Sequence, residues 1–303
     1  MFRKQLGKST ISVSEFCLGT MYFGTKVDEK NAFSVLDVFM DHGGNFIDTA
    51  NNYSYWIGGN GDESELLLGK WMKARNNRND IVLATKVGAM PSDRKNPNSP
   101  LEGLRKSTII HGLEKSLRRL QTDYVDLFYI HADLQKYALE ERWEALFQLE
   151  KEGKIRLKGC SNYSIDRLET SEEIGKKIGG SGSAALQQKM SYLHPEIVSP
   201  ESKLKFVDPS IIDFVEEHEM SLLTFSVLLS GGYERSFEEL PDAYHSIKNK
   251  ELFEKVQKSA KELEITPSQW ILRWVKNQSD RIIPLVAASS VRQLETNLNA
   301  VLD

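Results

Sequence analysis

The chain has 303 residues, 40% of them hydrophobic, and a formal net charge of -4 at pH 7, enough for two ordinary domains or one large barrel. Acids and bases are interspersed and the pI is about 6.0, so there is no basic footprint for nucleic acid. The longest apolar run, residues 222–229, is far too short to cross a bilayer.

Residues 2–19 read as a small hairpin, turning at 6–10, that leads into a first buried strand at 16–19. Residues 28–41 have helical periodicity, with Ala32, Val35, Leu36 and Phe39 at spacings of three and four, and Gly43-Gly44 ends that run. A strand to Asp48 follows, then a helix over 64–73 and a third strand over 81–86. Residues 87–103 form a long polar stretch broken by Pro91, Pro97 and Pro100; loops of that length are usually functional or mobile. Helix 109–120, strand 123–131, helix 143–152, strand 155–160 and helix 165–178 come next. A short strand at 184–187 precedes a second irregular stretch, 191–207. Helix 209–218, a strand at 222–227, a third irregular stretch at 230–248, helices 252–263 and 267–276, a strand at 282–286 and a closing helix 291–301 complete the chain. The helix at 267 carries Thr266 as cap and proline at its first position.

Strands alternating with helices imply parallel pairing with right-handed crossovers, and eight such units close a (β/α)₈ TIM barrel. The expected architecture is therefore an α/β chain, one (β/α)₈ barrel over 1–303 with an N-terminal β-hairpin. The rival, an open doubly wound sheet, needs a glycine-rich phosphate turn after its first strand; residues 18–24 read Leu-Gly-Thr-Met-Tyr-Phe-Gly instead. Cys17 and Cys160 each lie in an apolar run and are expected to be buried free thiols. Residues 1–7 lack the apolar core of a signal peptide, which makes the expectation a soluble cytoplasmic protein.

Four polar groups stand at or just past strand ends: Asp48, Tyr53, Lys86 and His131. A parallel barrel gathers such ends on one face. A phenol titrates near 10 and is a reluctant acid at neutral pH, but a neighbouring ammonium stabilises the phenolate and lowers that value. Lys86 is expected to supply the charge, Asp48 to hold Lys86, and His131 to orient a carbonyl toward Tyr53. Each residue alone has a plainer explanation: a turn aspartate, a pocket tyrosine, an exposed lysine, a hydrogen-bonded structural histidine. Their coincidence at strand ends points to proton donation.

The chain resembles the aldo-keto reductase family. The matching stretches are Asn45-Phe46-Ile47-Asp48-Thr49-Ala50 with Tyr53, Gly61-Asp62-Glu63-Ser64-Glu65 with Leu68-Gly69, and Ala84-Thr85-Lys86. Further on come Ser116-Leu117-Arg118-Arg119-Leu120 running through Asp123 and Asp126 to His131, then Gly153-Lys154-Ile155-Arg156, Gly159-Cys160-Ser161-Asn162, and Ala288-Ser289-Ser290 with Gln293 and Asn297. The resemblance covers essentially the whole chain. It implies a barrel that passes hydride from a nicotinamide dinucleotide to an aldehyde or ketone, with Tyr53 as acid, Asp48 and Lys86 as its tuners and His131 as carbonyl orienter. It implies that Ser161, Asn162 and Gln187 hold the nicotinamide carboxamide, that Phe225 stacks on the ring, and that Ser226 and Leu228 line the cofactor path. Plain barrel core is the other explanation for Phe225 and Leu228.

Two positions depart from the family pattern. Val227 stands where a proline often follows the residue matched by Ser226. The phosphate end, residues 287–290, lacks the usual arginine or lysine and offers Ser289 and Ser290, with Arg292 and Gln293 on the next helical turn and Asn297 beyond. A helix start with Ser and Arg can still bind phosphate, so NADP (as NADPH) is the family-weighted cofactor and NAD a second option. Tyr22, Trp56 and Tyr192, in loops after strands one, two and six, are candidate walls for a small carbonyl or sugar. The expected partner is that small molecule, with no nucleic acid or membrane, and the expected assembly a monomer or weak homo-oligomer. An alternative is a cofactor-binding redox-sensing or regulatory barrel subunit with little turnover. A barrel hydrolase would need paired acids, and only Asp48 clearly qualifies.

Overall fold

The computed structural model describes residues 1–196 and 204–299. Strands β1 (Arg3–Gln5) and β2 (Ser12–Ser14) form an antiparallel hairpin. The barrel strands are β3 (Cys17–Gly19), β4 (Phe46–Asp48), β5 (Val82–Val87), β6 (Val125–Ile130), β7 (Ile155–Ser161), β8 (Ala185–Lys189), β9 (Ser221–Phe225) and β10 (Ile282–Val286). All pair in parallel in chain order, and β10 closes on β3 to complete an eight-stranded barrel. The surrounding helices are α1 (Glu29–Asp41), α2 (Glu63–Arg75), α3 (Lys106–Leu120), α4 (Leu139–Lys151), α5 (Ile165–Lys177), α6 (Pro209–Glu217), α7 (Ile247–Glu262), α8 (Pro267–Lys276) and α9 (Val291–Leu298).

Period-two alternation divides the strands between two cores. Outward residues such as Ile47, Leu83, Phe128 and Leu186 pack beneath helix residues such as Leu36, Trp71, Leu113 and Leu146. Inward residues, among them Cys17, Phe46, Ala84, Leu127, Tyr129 and Leu223, fill the barrel with Leu6 and Val13 of the hairpin region. Full burial of one such apolar side chain contributes ~1.5–3 kcal/mol. The hairpin plugs the end where the strands begin: Gly7 donates to Ser221 Oγ at 2.9 Å, and Lys4 Nζ to the Asp280 and Ile282 carbonyls. Gly7 has φ +60°, and a Cβ there would lie 2.6 Å from the Ala184 carbonyl oxygen, so a side chain would unseat the plug. Gly69 lets α2 approach α3, since a Cβ would lie 2.2 Å from the Arg119 carbonyl. The opposite end is left to the loops that follow the strands, and alternation carries Asp48, Lys86 and Gln187 onto the inner face there.

Several boundaries differ from the sequence expectation for local reasons. α3, α4 and α7 begin at Lys106, Leu139 and Ile247, a turn or so early, because a first turn with at most one apolar residue shows no stripe. Ser246 caps α7 by accepting from Asn249 N–H. β8 extends to Lys189 because its pairing with β9 continues through Gln188↔Thr224 and Lys189↔Phe225. β9 stops at Phe225 because Ser226 turns into the left-handed region at φ +60°. The stretch 230–248 holds three 3₁₀ turns and buries Tyr233, Leu240 and Tyr244. The irregular stretch 191–207 falls partly outside the described residues, as does the end of the helix expected to reach 301. Cys17 and Cys160 are free and buried. Among the described residues, no helix is long and apolar enough to cross a membrane.

Candidate active site

The loop-bearing mouth of the barrel gathers the four expected groups. Asp48 ends β4, Lys86 is the penultimate residue of β5 and His131 follows β6 directly. Asp48 and Lys86 are fully buried and Tyr53 is 6% exposed. Lys86 Nζ donates to the Tyr53 hydroxyl at 2.6 Å and to the Thr49 carbonyl at 2.8 Å, and is ion-paired with Asp48 Oδ2. The Tyr53 O–H donates to the same carboxylate oxygen at 2.8 Å. The other oxygen, Asp48 Oδ1, accepts from Gln187 Nε2 at 2.9 Å. The His131 ring stands edge-on to Tyr53 with centroids 6.2 Å apart.

Burial, then the Asp48 carboxylate, hold the Tyr53 phenol well above its usual range. The direction is opposite to the expectation that Lys86 makes the phenol acidic: the ammonium is in contact, but burial and the Asp48 carboxylate favour the protonated phenol. Burial lowers the Lys86 ammonium, with Asp48 working in the opposite direction. Burial, assisted by Lys86, lowers the His131 imidazole to about 3, so it is neutral at ordinary pH. His131 Nδ1 is buried without a hydrogen-bond partner.

Tyr53 and His131 open onto a cavity of about 400 Å³, within the size range of small-molecule sites. Asn162, Gln187, Phe225, Ser226 and Leu228 line one side of it, and Ser289 and Gln293 its far end. Tyr22 and Trp56 line the other wall, Trp56 with its edge toward Tyr53 at 6.4 Å. Ser161 stands just behind, its hydroxyl accepting from Asn162 Nδ2 at 3.0 Å, while the same amide also reaches the His131 carbonyl. Asn162 and Ser226, directly after β7 and β9, both hold φ +60°. At the start of α9, Ser290 caps the helix and Gln293 Oε1 accepts from Ser289 N–H and Oγ–H; Arg292 is exposed on the first turn.

Of the expected binding residues, Ser161, Ser290 and Arg292 do not line the cavity, though Ser161 and Ser290 adjoin residues that do, and two more lie away from it. Tyr192 packs edge-on against Trp270 and Trp274 of α8, at 5.2 and 4.9 Å, because the chain after β8 turns outward over that helix. Asn297 is buried on the inner face of α9 and does not line the cavity. Sequence reasoning missed Met21, Phe23 and Leu204, which join the wall. Met21 and Phe23 flank Tyr22 and could have been found with it; Leu204 had no signal. The second buried strand acid, Asp126, belongs to the outward face of β6 and pairs with Arg78 and Arg156 at 2.9 Å each, so it forms no carboxylate pair with Asp48 of the kind a hydrolase needs.

A closed parallel barrel whose strand ends bring a phenol, an ammonium, a carboxylate and a neutral imidazole to one cavity defines a class of barrel oxidoreductases. The chain belongs to the aldo/keto reductase family, whose model matches residues 15–303, and members of that family generally bind nicotinamide cofactors. It is 30% identical over 304 residues to the uncharacterized oxidoreductase YrpG of Bacillus subtilis, covering 98% of this chain and 90% of that one. It is 28% identical over 305 residues to norsolorinic acid reductase A of Aspergillus parasiticus, covering 96% and 74%. It is also 27% identical over 326 residues to a probable voltage-gated potassium channel subunit beta of Arabidopsis thaliana, covering 98% and 90%.

Proposed function

We propose that this chain is a cytoplasmic NADPH-dependent reductase that converts an aldehyde or ketone to an alcohol, with Tyr53 as the general acid. The observation that carries this reading is the Tyr53–Lys86–Asp48 contact cluster at the floor of a cavity that continues to the start of α9. A dinucleotide suits that cavity: two amide side chains, Asn162 and Gln187, sit near Tyr53, Phe225 offers an aromatic wall, and hydroxyls meet a helix start at the far end. Ser161, Asn162 and Gln187 would hold the carboxamide, Phe225, Ser226 and Leu228 the ring and its path, and Ser289, Ser290, Arg292 and Gln293 the phosphate end. When bound, the cofactor supplies hydride.

The chain's own residues handle the proton. Neutral His131 can donate one hydrogen bond to the substrate carbonyl and orient it toward Tyr53. The phenol keeps its proton at rest, because burial and Asp48 oppose ionisation. As negative charge grows on the substrate oxygen, the O–H turns from Asp48 to that oxygen and gives up its proton. The phenolate left behind is stabilised by Lys86. Asp48 keeps Lys86 in place and is itself held by Gln187. Help of this kind is worth roughly 10²–10⁴-fold in rate. Met21, Tyr22, Trp56 and Leu204 form a largely apolar wall for a small carbonyl substrate.

The likeness to a potassium channel subunit beta favours one second reading, a regulatory barrel that binds cofactor and barely turns over. The test is to follow loss of the reduced-nicotinamide absorbance with a panel of aldehydes and ketones. Turnover that disappears in Tyr53→Phe supports the reductase; tight NADPH binding without turnover on any carbonyl supports the regulatory subunit.

A further inference from the structure

Lys86 is held in β5, whereas Tyr53 stands in the loop that follows β4. Tyr53 lies five residues beyond the end of β4, and the chain after Lys86 turns sharply at Gly88, φ +107°. Their 2.6 Å contact therefore depends on how the loop after β4 is held against the end of β5. A single carboxylate joins those loops. Glu102 Oε1 accepts from Asn51 Nδ2 at 2.9 Å, from Gly88 N–H at 2.8 Å and from Met90 N–H at 3.5 Å. Asn51 stands two residues before Tyr53, and Gly88 two residues after Lys86.

Glu102 is itself anchored. Its own N–H donates to the Met90 carbonyl at 2.7 Å, beside the bridge between Pro91 and Leu101. Two further crossings follow the same path: Asn51 N–H to the Lys86 carbonyl at 3.1 Å, and Asn52 Nδ2 to the Ala89 carbonyl at 3.1 Å. Glu102 and Asn51 border an outer cleft of about 450 Å³, and neither lines the cavity that Tyr53 and His131 share.

We propose that Glu102 is a positioning residue for the reduction: it clamps the loop after β4 to the loop after β5 and so sets the separation of Tyr53 from Lys86. The proposal rests on the reductase reading of the site. A carboxylate suits this task because it accepts several N–H bonds at once and each is charge-assisted. Glutamine at the same place keeps an acceptor oxygen; alanine keeps none.

The test compares Glu102→Ala, Glu102→Gln, Asn51→Ala and the double variant Glu102→Ala/Asn51→Ala, with NADPH and a carbonyl that the wild type reduces. Glu102→Ala is expected to lower kcat about 10–100-fold, with KM for NADPH and carbonyl within about 3-fold, because a misplaced proton donor affects chemistry more than binding. Glu102→Gln should recover most of kcat. Asn51→Ala should lose a similar factor, and the double variant should lose little more, because both substitutions break one connection. Wild-type kcat in Glu102→Ala or in Asn51→Ala overturns the clamp, as does a Glu102→Gln no better than alanine, or losses that multiply in the double variant. Amide hydrogen exchange in the protein without cofactor gives a separate readout: Gly88 N–H should exchange faster in Glu102→Ala and at the wild-type rate in Glu102→Gln. Unchanged exchange in Glu102→Ala also overturns the clamp. A wild type that reduces no carbonyl defeats the reductase reading alone, and the exchange measurement still decides whether Glu102 joins the loops.

Discussion

The two ends of the cavity are built on different physics. At the Tyr53 end Asp48, Tyr53, Lys86 and Gln187 are buried and several elements hold them: Asp48 accepts from Lys86, Tyr53 and Gln187, and Lys86 also reaches the Thr49 carbonyl. At the Ser289 end the groups are exposed, Ser289 and Gln293 bond one another, and Arg292 stands on an outer helical turn. Charges removed from water interact strongly and leave little room for substitution, whereas exposed charges are screened and contribute little. The chemistry is thus expected to be rigidly specified, and the choice between NADPH and NADH only weakly.

The largest expected effect lies at the buried end. Lys86→Met removes the cation that stabilises the phenolate, and reduction should fall roughly 10²–10⁴-fold; a near-normal kcat would show that the phenol needs no ammonium. A stability measurement sharpens the same point. The His131 imidazole is lowered from 6.5 to about 3 in the folded chain, so between those values the unfolded chain binds the extra proton. Stability from this residue is therefore complete above about pH 6.5 and declines as pH falls toward 3, by up to about 1.4 kcal/mol per pH unit. His131→Gln should flatten that part of the pH–stability curve; identical curves for variant and wild type would place the imidazole in a wetter setting. The smallest effect belongs to the exposed end. Arg292→Ala should weaken NADPH severalfold and NADH hardly at all, on the scale of one exposed charge pair, as read by equilibrium binding of each cofactor. Equal changes for both would take Arg292 away from the 2′-phosphate.

What could be read in advance follows the same division. Asp48 and Lys86 were visible because a strand of period two displays its last inward residue at a known place, where a chemically demanding group stands out from the apolar run behind it; Tyr53 and His131 were visible because they follow strand ends closely. Helices with an apolar stripe, such as Ala32, Val35, Leu36 and Phe39 in α1, were visible for the matching reason at period 3.6. Tyr192 was misplaced because nothing in its neighbourhood distinguishes a loop aromatic facing a cavity from one facing Trp270 and Trp274. Glu102 was not singled out at all, since a glutamate in a polar, proline-broken loop looks like ordinary solvated surface.

The sequence by itself determined the alternation of strand and helix, hence the barrel, and which residue types meet at its mouth, because both are written in local periodicity and in the chemistry of strand ends. Only the tertiary structure decided the protonation of that site and the agents that hold it. Burial and the Asp48 carboxylate keep the Tyr53 proton in place, and Gln187 and Glu102 act on partners 139 and 51 residues away. Desolvation and contacts between distant segments depend on how the whole chain closes, and no window of neighbouring residues contains them.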